Sequence, residues 1–450
     1  MLAIPEKWAF YTALAVMVVG NGFFKPNIST LLGNLFNDDR YRHKKDTGYN
    51  IFYMGINVGA FVCNFIAAIM RNKIGWHGAF LTAGIGMFIG VITFWLGMKH
   101  YKHVDVRRTP KPEDKPFLIQ FGRTLLIGIA FATIGWFIPD NIMGSNSTDA
   151  FFMFCFPVIY FFASIYYKAN AEEKKPLGTM FTIFIIVILF WAIFKQNGTA
   201  LTTYAKYYTD REGPAQIEQT AKDFGFLESV KAENSETVQL DNQFRKIMGP
   251  NGEPLKHMDY PPYYKNLDVS KFPPKGESLN LFNTEIFQSV NPFFVVILTP
   301  LVIAFFAFKR RRNKEPTTAT KIAYGLLVSA LSVLVMIAAV YTSGNGMHKS
   351  SAWWLIGSYG VVTIGELLLS PMGLSMVSKL SPVRLTALMF GGWSLATSIG
   401  NKLSGVLAKN WDKFENKANY FWLNFALLMF AFLIMLLLLK RLNRVFKETS

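Results

Sequence analysis

Charge is scarce in this chain of 450 residues: 17% of it is Asp, Glu, Lys or Arg, against about 25% in a soluble protein. Cysteine is nearly absent. Its two copies, Cys63 and Cys155, sit inside apolar stretches and read as small core residues, which excludes a disulfide scaffold. Histidine is rare as well, and the one metal-like spacing, His100 with His103, falls at a helix end where a solvated surface is the plainer reading. There is no phosphate-binding loop, nucleophile elbow or zinc motif. Those absences argue against an ATP-driven pump and an intramembrane protease, and we expect no enzyme activity, no cofactor and no metal. No secretory signal is visible and none is expected, since Glu6 and Lys7 lead directly into a full-length apolar stretch.

What is present is apolar. Hydrophobic residues are 51% of the chain and aromatics 16%, with 42 Phe, 18 Tyr and 10 Trp. The mean hydropathy is only +0.25, so these residues are concentrated in blocks. A bilayer core needs about 20 apolar residues in a helix. Eleven blocks meet that length, near 8–35, 47–70, 77–98, 118–138, 150–167, 177–204, 284–308, 319–343, 352–377, 383–408 and 419–440. The fold class expected is all-α, a multi-pass bundle in a lipid bilayer. The net charge of +17 invites a nucleic-acid reading, but the charges lie in short clusters between apolar blocks, so no nucleic-acid partner is expected.

Alternate loops differ in charge. One set, running from Arg40 to Lys447, carries 25 Lys and Arg; the other, leaving out 205–283, carries 7. The positive-inside rule places the first set and the C-terminus in the cytoplasm, and with eleven spans the N-terminus outside. An outside start without a signal peptide leads us to expect further spans upstream. Residues 205–283 form a polar outer segment with turn signals at Gly249-Pro250-Asn251-Gly252 and Pro261-Pro262, too poor in apolar periodicity to stand as a domain. Residues 101–117 read as a cytoplasmic linker.

An ionisable group within a span costs about 2.5–3.5 kcal/mol and is a functional candidate by default. Lys25, Lys195 and Glu366 lie well inside their spans, whereas Arg123, Glu285 and Lys402 lie near the ends, where snorkelling explains them. The amides Asn57, Gln196, Asn197, Asn291 and Asn401 accompany the central three. Lys25 precedes Pro26 and follows Gly20 and Gly22, so a loosened helix would present its cation to an anionic group. The alternative is a structural ion pair locking two helices. Glu366, with Pro371 one turn on, suits an ammonium, a proton or Lys25; its alternative is a neutral, hydrogen-bonded core acid. Lys195 reads equally as site or gate. Gly55-x-x-x-Gly59 and Gly86-x-x-x-Gly90 read as helix-packing contacts.

Two stretches are specific in combination: Gly20-Asn21-Gly22-Phe23-Phe24-Lys25-Pro26-Asn27-Ile28-Ser29, and Gly48-Tyr49-Asn50-Ile51-Phe52-Tyr53-Met54-Gly55-Ile56-Asn57-Val58-Gly59-Ala60. With Leu189 to Ile193, Phe287 to Pro292, Gly365-Glu366 through Leu374, Gly392-Trp393 and Gly400-Asn401, they resemble the signature of the proton-dependent oligopeptide transporters, within the major facilitator superfamily. The resemblance covers the whole chain except 205–283. It implies a major-facilitator-like bundle in which residues 1–100 are the family's helices four to six. Residues 101–176 would be a linker and inserted helix pair, and 177–450 a C-terminal six-helix bundle. The family's E-x-x-E-R motif and the tyrosines of its first two helices have no counterpart here, as expected of a chain that begins at the fourth helix.

The function implied is symport of di- or tripeptides with protons across the cell (inner) membrane. A short peptide is a zwitterion. Lys25 would hold its carboxylate and Glu366 its ammonium, Asn57 and Asn291 would bond its backbone, and Trp393 would line a side-chain pocket. In the empty site Lys25 and Glu366 would pair, and rocking of the halves would break that contact. Lys195 resembles a lysine that many members carry on the seventh helix, and with Lys25 and Glu366 it is a candidate for gating or coupling. Two rivals remain: transport of another carboxylate solute, and a membrane partner or remnant that does not transport.

Overall fold

The computed structural model describes every residue except 1, 3, 5, 39, 106–116, 285 and 450. Glu285, and the basic residues Arg107, Arg108, Lys111 and Lys115 of the expected linker, lie outside the described residues. Each expected apolar block is a helix. They are α1 (Lys7–Leu35), α2 (Lys45–Ile74), α3 (Trp76–Gly97), α4 (Phe117–Trp136), α5 (Asn146–Lys168) and α6 (Ala171–Phe194), which continues as α7 (Ala200–Tyr208). After the short α8 (Ala215–Asp223) come α9 (Ile286–Arg311), α10 (Thr318–Thr342), α11 (Ala352–Leu380), α12 (Thr386–Lys409) and α13 (Lys417–Thr449). Among the described residues, nine helical stretches combine the length and apolarity of a membrane span. Helices α1 and α12 have 29 and 24 residues and reach span length with a more polar sequence.

Local chemistry sets the helix ends. The Asn170 side chain accepts from Glu173 N to start α6, and Thr317 accepts from Thr320 N to start α10. The sixth block is broken at 195–198, where Lys-Gln-Asn-Gly adopts a 3₁₀ turn before α7 resumes. Helices α10, α11 and α13 pack together, and α6 packs on α12 and α13. The crossing of α10 and α11 is close because two glycines meet there: a Cβ on Gly325 would lie 2.8 Å from the Gly365 carbonyl. Helix α2 lies against α9, α3 and α11, α1 against α12, and α4 against α5.

The glycine pairs read as packing contacts do not serve that role. Among the described residues, nothing lies within 4 Å of a Cβ built on Gly55, Gly59, Gly86 or Gly90, because they fall on faces that no described helix covers. Helix α1 also runs unbroken through Pro26. The missing amide costs one hydrogen bond without opening the helix.

The outer segment has more order than its composition suggested. Strands β1 (Thr209–Asp210), β2 (Leu227–Lys231), β3 (Ser235–Val238), β4 (Lys256–Asp259), β5 (Ser278–Phe282) and β6 (Ser350–Ser351) form three two-stranded sheets. β2 pairs antiparallel with β5, β3 antiparallel with β4, and β1 parallel with β6. Ala232, Tyr263, Tyr264, Leu267 and Leu281 make a small core of their own. The segment is tied to the bundle through Tyr208 Oη to Gln243 O (2.8 Å) and Asn266 Nδ2 to Gly346 O (3.0 Å). Phe226 also meets Phe65 of α2 edge to face, with ring centres 5.2 Å apart.

Candidate functional site

Glu366 lies midway along α11 and is 2% exposed. An ionised carboxylate in such a place requires donors. Two neighbouring helices supply them. The Tyr53 hydroxyl of α2 donates to Oε1, and the Asn291 amide of α9 donates to Oε2 at 2.8 Å and to Thr363 Oγ1 at 2.9 Å. Donors on α2 and α9 thus converge on one acid of α11. Asn57 sits one turn beyond Tyr53, buried, with its Nδ2 donating to the Tyr53 carbonyl at 2.9 Å.

Among the described residues, neither Lys195 nor Lys25 forms an ion pair with Glu366. Lys195, at the break between α6 and α7, stands over the rings of Trp191 and Phe194, 5.7 Å from each centre. Lys25 is on an exposed face of α1. The pairing of Lys25 with Glu366 expected of an empty site is not made. Tyr53 and Asn291 occupy the carboxylate instead, because neutral donors satisfy a buried acid without desolvating a second charge.

The remaining candidates scatter. Trp393 of α12 is buried edge-on against Phe184, with ring centres 5.9 Å apart, and lies across Gly373 of α11, where a Cβ would meet the ring at 2.0 Å. Gln196 forms a buried amide pair with Asn424 (2.9 and 3.2 Å) and accepts from Tyr420 (2.9 Å), next to a cavity of about 40 Å³ enclosed by α6, α10, α11 and α13. Asn401 is exposed. The Lys402 ammonium faces Phe151 of α5, 6.0 Å from the ring centre.

A second polar cluster, unforeseen from the sequence, lies at the basic end of the bundle. Asp46, in the first turn of α2, accepts from Lys321 of α10 at 2.8 Å, Lys379 of α11 at 2.6 Å and Ser375 at 2.5 Å. Lys321 is 1% exposed, reaches Glu315 at 2.7 Å and lies 4.6 Å from the Phe306 ring centre. Burial pushes the Glu315 carboxyl up, but the Arg310 hydrogen bond and the Lys321 charge outweigh it and hold the group below the usual carboxylate range. At the same end a cavity of about 1570 Å³ opens between the last turns of α1 with the Asn37 that follows them, the turn after α3 and the start of α12. Arg384 and Glu173 pair on its wall.

Tyr53 escapes sequence reading because a tyrosine in an aromatic-rich helix reads as core. Asp46, Lys321 and Lys379 escape it because each stands at the edge of an apolar block, where charges are ordinary. The usable signal was an acid among the lysines at the mouth of a span.

The model of the POT family matches residues 3–221 and 278–423, leaving out most of the outer segment. A di-/tripeptide transporter of Lactococcus lactis subsp. cremoris is 27% identical over 409 residues, covering 89% of this chain and 69% of that protein. An uncharacterized transporter of Bacillus subtilis (strain 168) is 27% identical over 416 residues, covering 92% and 70%. Among solved structures, a peptide transporter POT in complex with sulfate superposes with a TM-score of 0.60 at 26% identity, covering 99% of this chain and 77% of that one.

Proposed function

The chain belongs to the POT family, and on that premise we propose that it carries di- and tripeptides across a membrane together with protons, gripping the two ends of the peptide between Lys25 and Glu366. The observation that carries this reading is the environment of Glu366: a buried acid in the middle of α11 held by the neutral donors Tyr53 and Asn291. A peptide ammonium replacing the two neutral donors gains a full charge partner at the moment it enters. The peptide carboxylate is then drawn to Lys25. Asn57 and Asn291 offer amides to the peptide backbone, and Trp393 borders the side-chain space. Recognition of the ends leaves the side chains free to vary. Protonation of Glu366 in place of the ammonium would link the cycle to a proton gradient.

Residues 1–100 and 177–450 serve in this reading as the two bodies that rock about the site, with 101–176 as connector and inserted pair. The cell membrane is the location, with the basic end and the C-terminus inside. The Asp46 cluster is the contact that closes the inner end.

The test is uptake of a labelled dipeptide into vesicles under an inward proton gradient. Lys25→Ala and Glu366→Gln are each expected to abolish accumulation. Unchanged uptake in either variant ends the two-ended grip. Wild-type uptake of a simple carboxylate with no peptide uptake favours the carboxylate solute, and no uptake of either favours a non-transporting role.

A further inference from the structure

Helix α9 turns one face outward along its basic half. Ile297, Leu301, Phe305 and Phe308 recur at helical spacing, and each is 47–62% exposed. Val295, Thr299 and Phe306 occupy the opposite face and are buried. By the rise of an α-helix the outward stripe is roughly 16 Å long, half of a bilayer core of about 30 Å. It ends in two cations. The Arg312 guanidinium lies over the Phe308 ring, 4.1 Å from its centre, and the Lys309 ammonium lies 5.6 Å from the centre of Phe305. Arg310, between them in sequence, is committed instead to Glu315 in a two-point contact. Among the described residues, neither Lys309 nor Arg312 forms an ion pair with an acid. The turn that carries them is fixed. Asn313 has a φ of 53°, and Asn313 N donates to Arg310 O and Lys314 N to Lys309 O, both at 2.9 Å. Those bonds occupy carbonyls that would otherwise repel an anion.

Two cations seated on aromatic rings, at the end of an apolar stripe one leaflet deep, complement a negative headgroup above an acyl chain. We infer that this face of α9 binds an anionic phospholipid of the leaflet at the basic end. The chain lies along Ile297 to Phe308, and the phosphate sits between Lys309 and Arg312. Arg312 offers paired N–H groups to the phosphate oxygens, and Lys309 adds a point charge beside them. A zwitterionic headgroup gains less, because its own ammonium offsets the phosphate. Phe305 and Phe308 set where the cations stand, so charge is read at one depth in the bilayer. The site is separate from Glu366 and does not depend on which solute is carried.

The experiment is native mass spectrometry of the purified full chain in detergent, titrated with phosphatidylglycerol or with phosphatidylcholine of the same acyl chains. The wild type should bind phosphatidylglycerol the more tightly. A cation beside an anionic headgroup contributes about fivefold, so Lys309→Gln combined with Arg312→Gln should weaken phosphatidylglycerol roughly 25-fold. Binding of phosphatidylcholine should stay as it was, which also shows that the variant is folded. The charge-keeping pair Lys309→Arg with Arg312→Lys should retain the preference. Arg441→Gln with Arg444→Gln removes the same charge from exposed positions at the basic end of α13. That pair should leave the affinity within about twofold, since exposed charges away from the stripe are screened. Equal weakening in the two Gln pairs would mean charge attraction without a site, and equal wild-type affinity for the two lipids would mean no preference; either result overturns the inference. Displacement of phosphatidylglycerol by an equal concentration of water-soluble glycerol phosphate overturns it too, because the chain would then contribute nothing.

Discussion

Asp46→Asn tests whether the buried cluster at the basic end holds the bundle closed there. The carboxylate accepts from Lys321 at 2.8 Å and Lys379 at 2.6 Å. Removing one partner of a buried pair costs about 3–5 kcal/mol, most of it from the charge left behind. Two features place this case at the low end. Lys321 keeps Glu315 at 2.7 Å, and the Lys379 side chain is 22% exposed and can turn toward water. A loss of about 3 kcal/mol falls on contacts between α2 and the pair α10 and α11. It is therefore charged to the closed arrangement and shifts the balance toward an opened end by roughly 150-fold. Spin labels placed at Lys44 and Leu385, on either side of that end, read the change as a longer distance distribution in Asp46→Asn, with Cys63 and Cys155 replaced by serine. Lys379→Gln should give a smaller shift of the same sign. A distance distribution in Asp46→Asn that matches the parent, or a shift in populations below about fivefold, would refute the argument that this cluster supplies the closing energy.

Two further outcomes follow from the packing and from the outer face. Gly373→Ala drives a methyl group into the Trp393 ring and should destabilise the protein by about 1–3 kcal/mol, seen as a lower midpoint of thermal inactivation; an unchanged midpoint would mean that α11 and α12 are not held by that contact. The Lys349 ammonium donates to the Tyr207 carbonyl at 2.9 Å and lies 4.0 Å from the Tyr263 ring centre of the outer segment. Burial there pushes it down from 10.5 to about 7, with Arg211 adding to the push and Asp210 opposing it. Because the docked form has the lower value, the released form binds the extra proton between those two limits. Docking of the outer segment should therefore tighten as pH rises from about 7 toward 10.5, and its penalty should be complete below about 7. Amide exchange in β2 and β5 at about pH 7 and about pH 9 reads this, and Lys349→Met should flatten the difference.

Much of this protein was legible in its sequence, for a definable reason. Whether a stretch of about twenty residues crosses a membrane depends on its own composition, so the eleven apolar blocks and their helices agree element by element. The unusual mid-span charges, Lys25, Lys195 and Glu366, stood out because each is costly wherever its neighbours lie. The order of the outer segment was harder to see. Its core is small and comes from residues spread between Ala232 and Leu281, too widely spaced for any local period to announce it.

Partnership could not be read locally at all. Tyr53 and Glu366 are 313 residues apart in the chain, and Asp46 and Lys321 are 275 apart. Nothing about a tyrosine in an aromatic helix, or an acid at the mouth of a span, reveals which distant side chain it meets. The same holds for Gly55 and Gly86, whose spacing suits a helix contact that the arrangement of neighbours does not provide. Hydropathy is a property of each segment, so the sequence alone determined which segments are helices and where charge is out of place. Hydrogen bonds and ion pairs act over a few ångströms, so only the packing of α2 against α9, α10 and α11 decided that Glu366 answers to Tyr53 and Asn291, and Asp46 to two lysines.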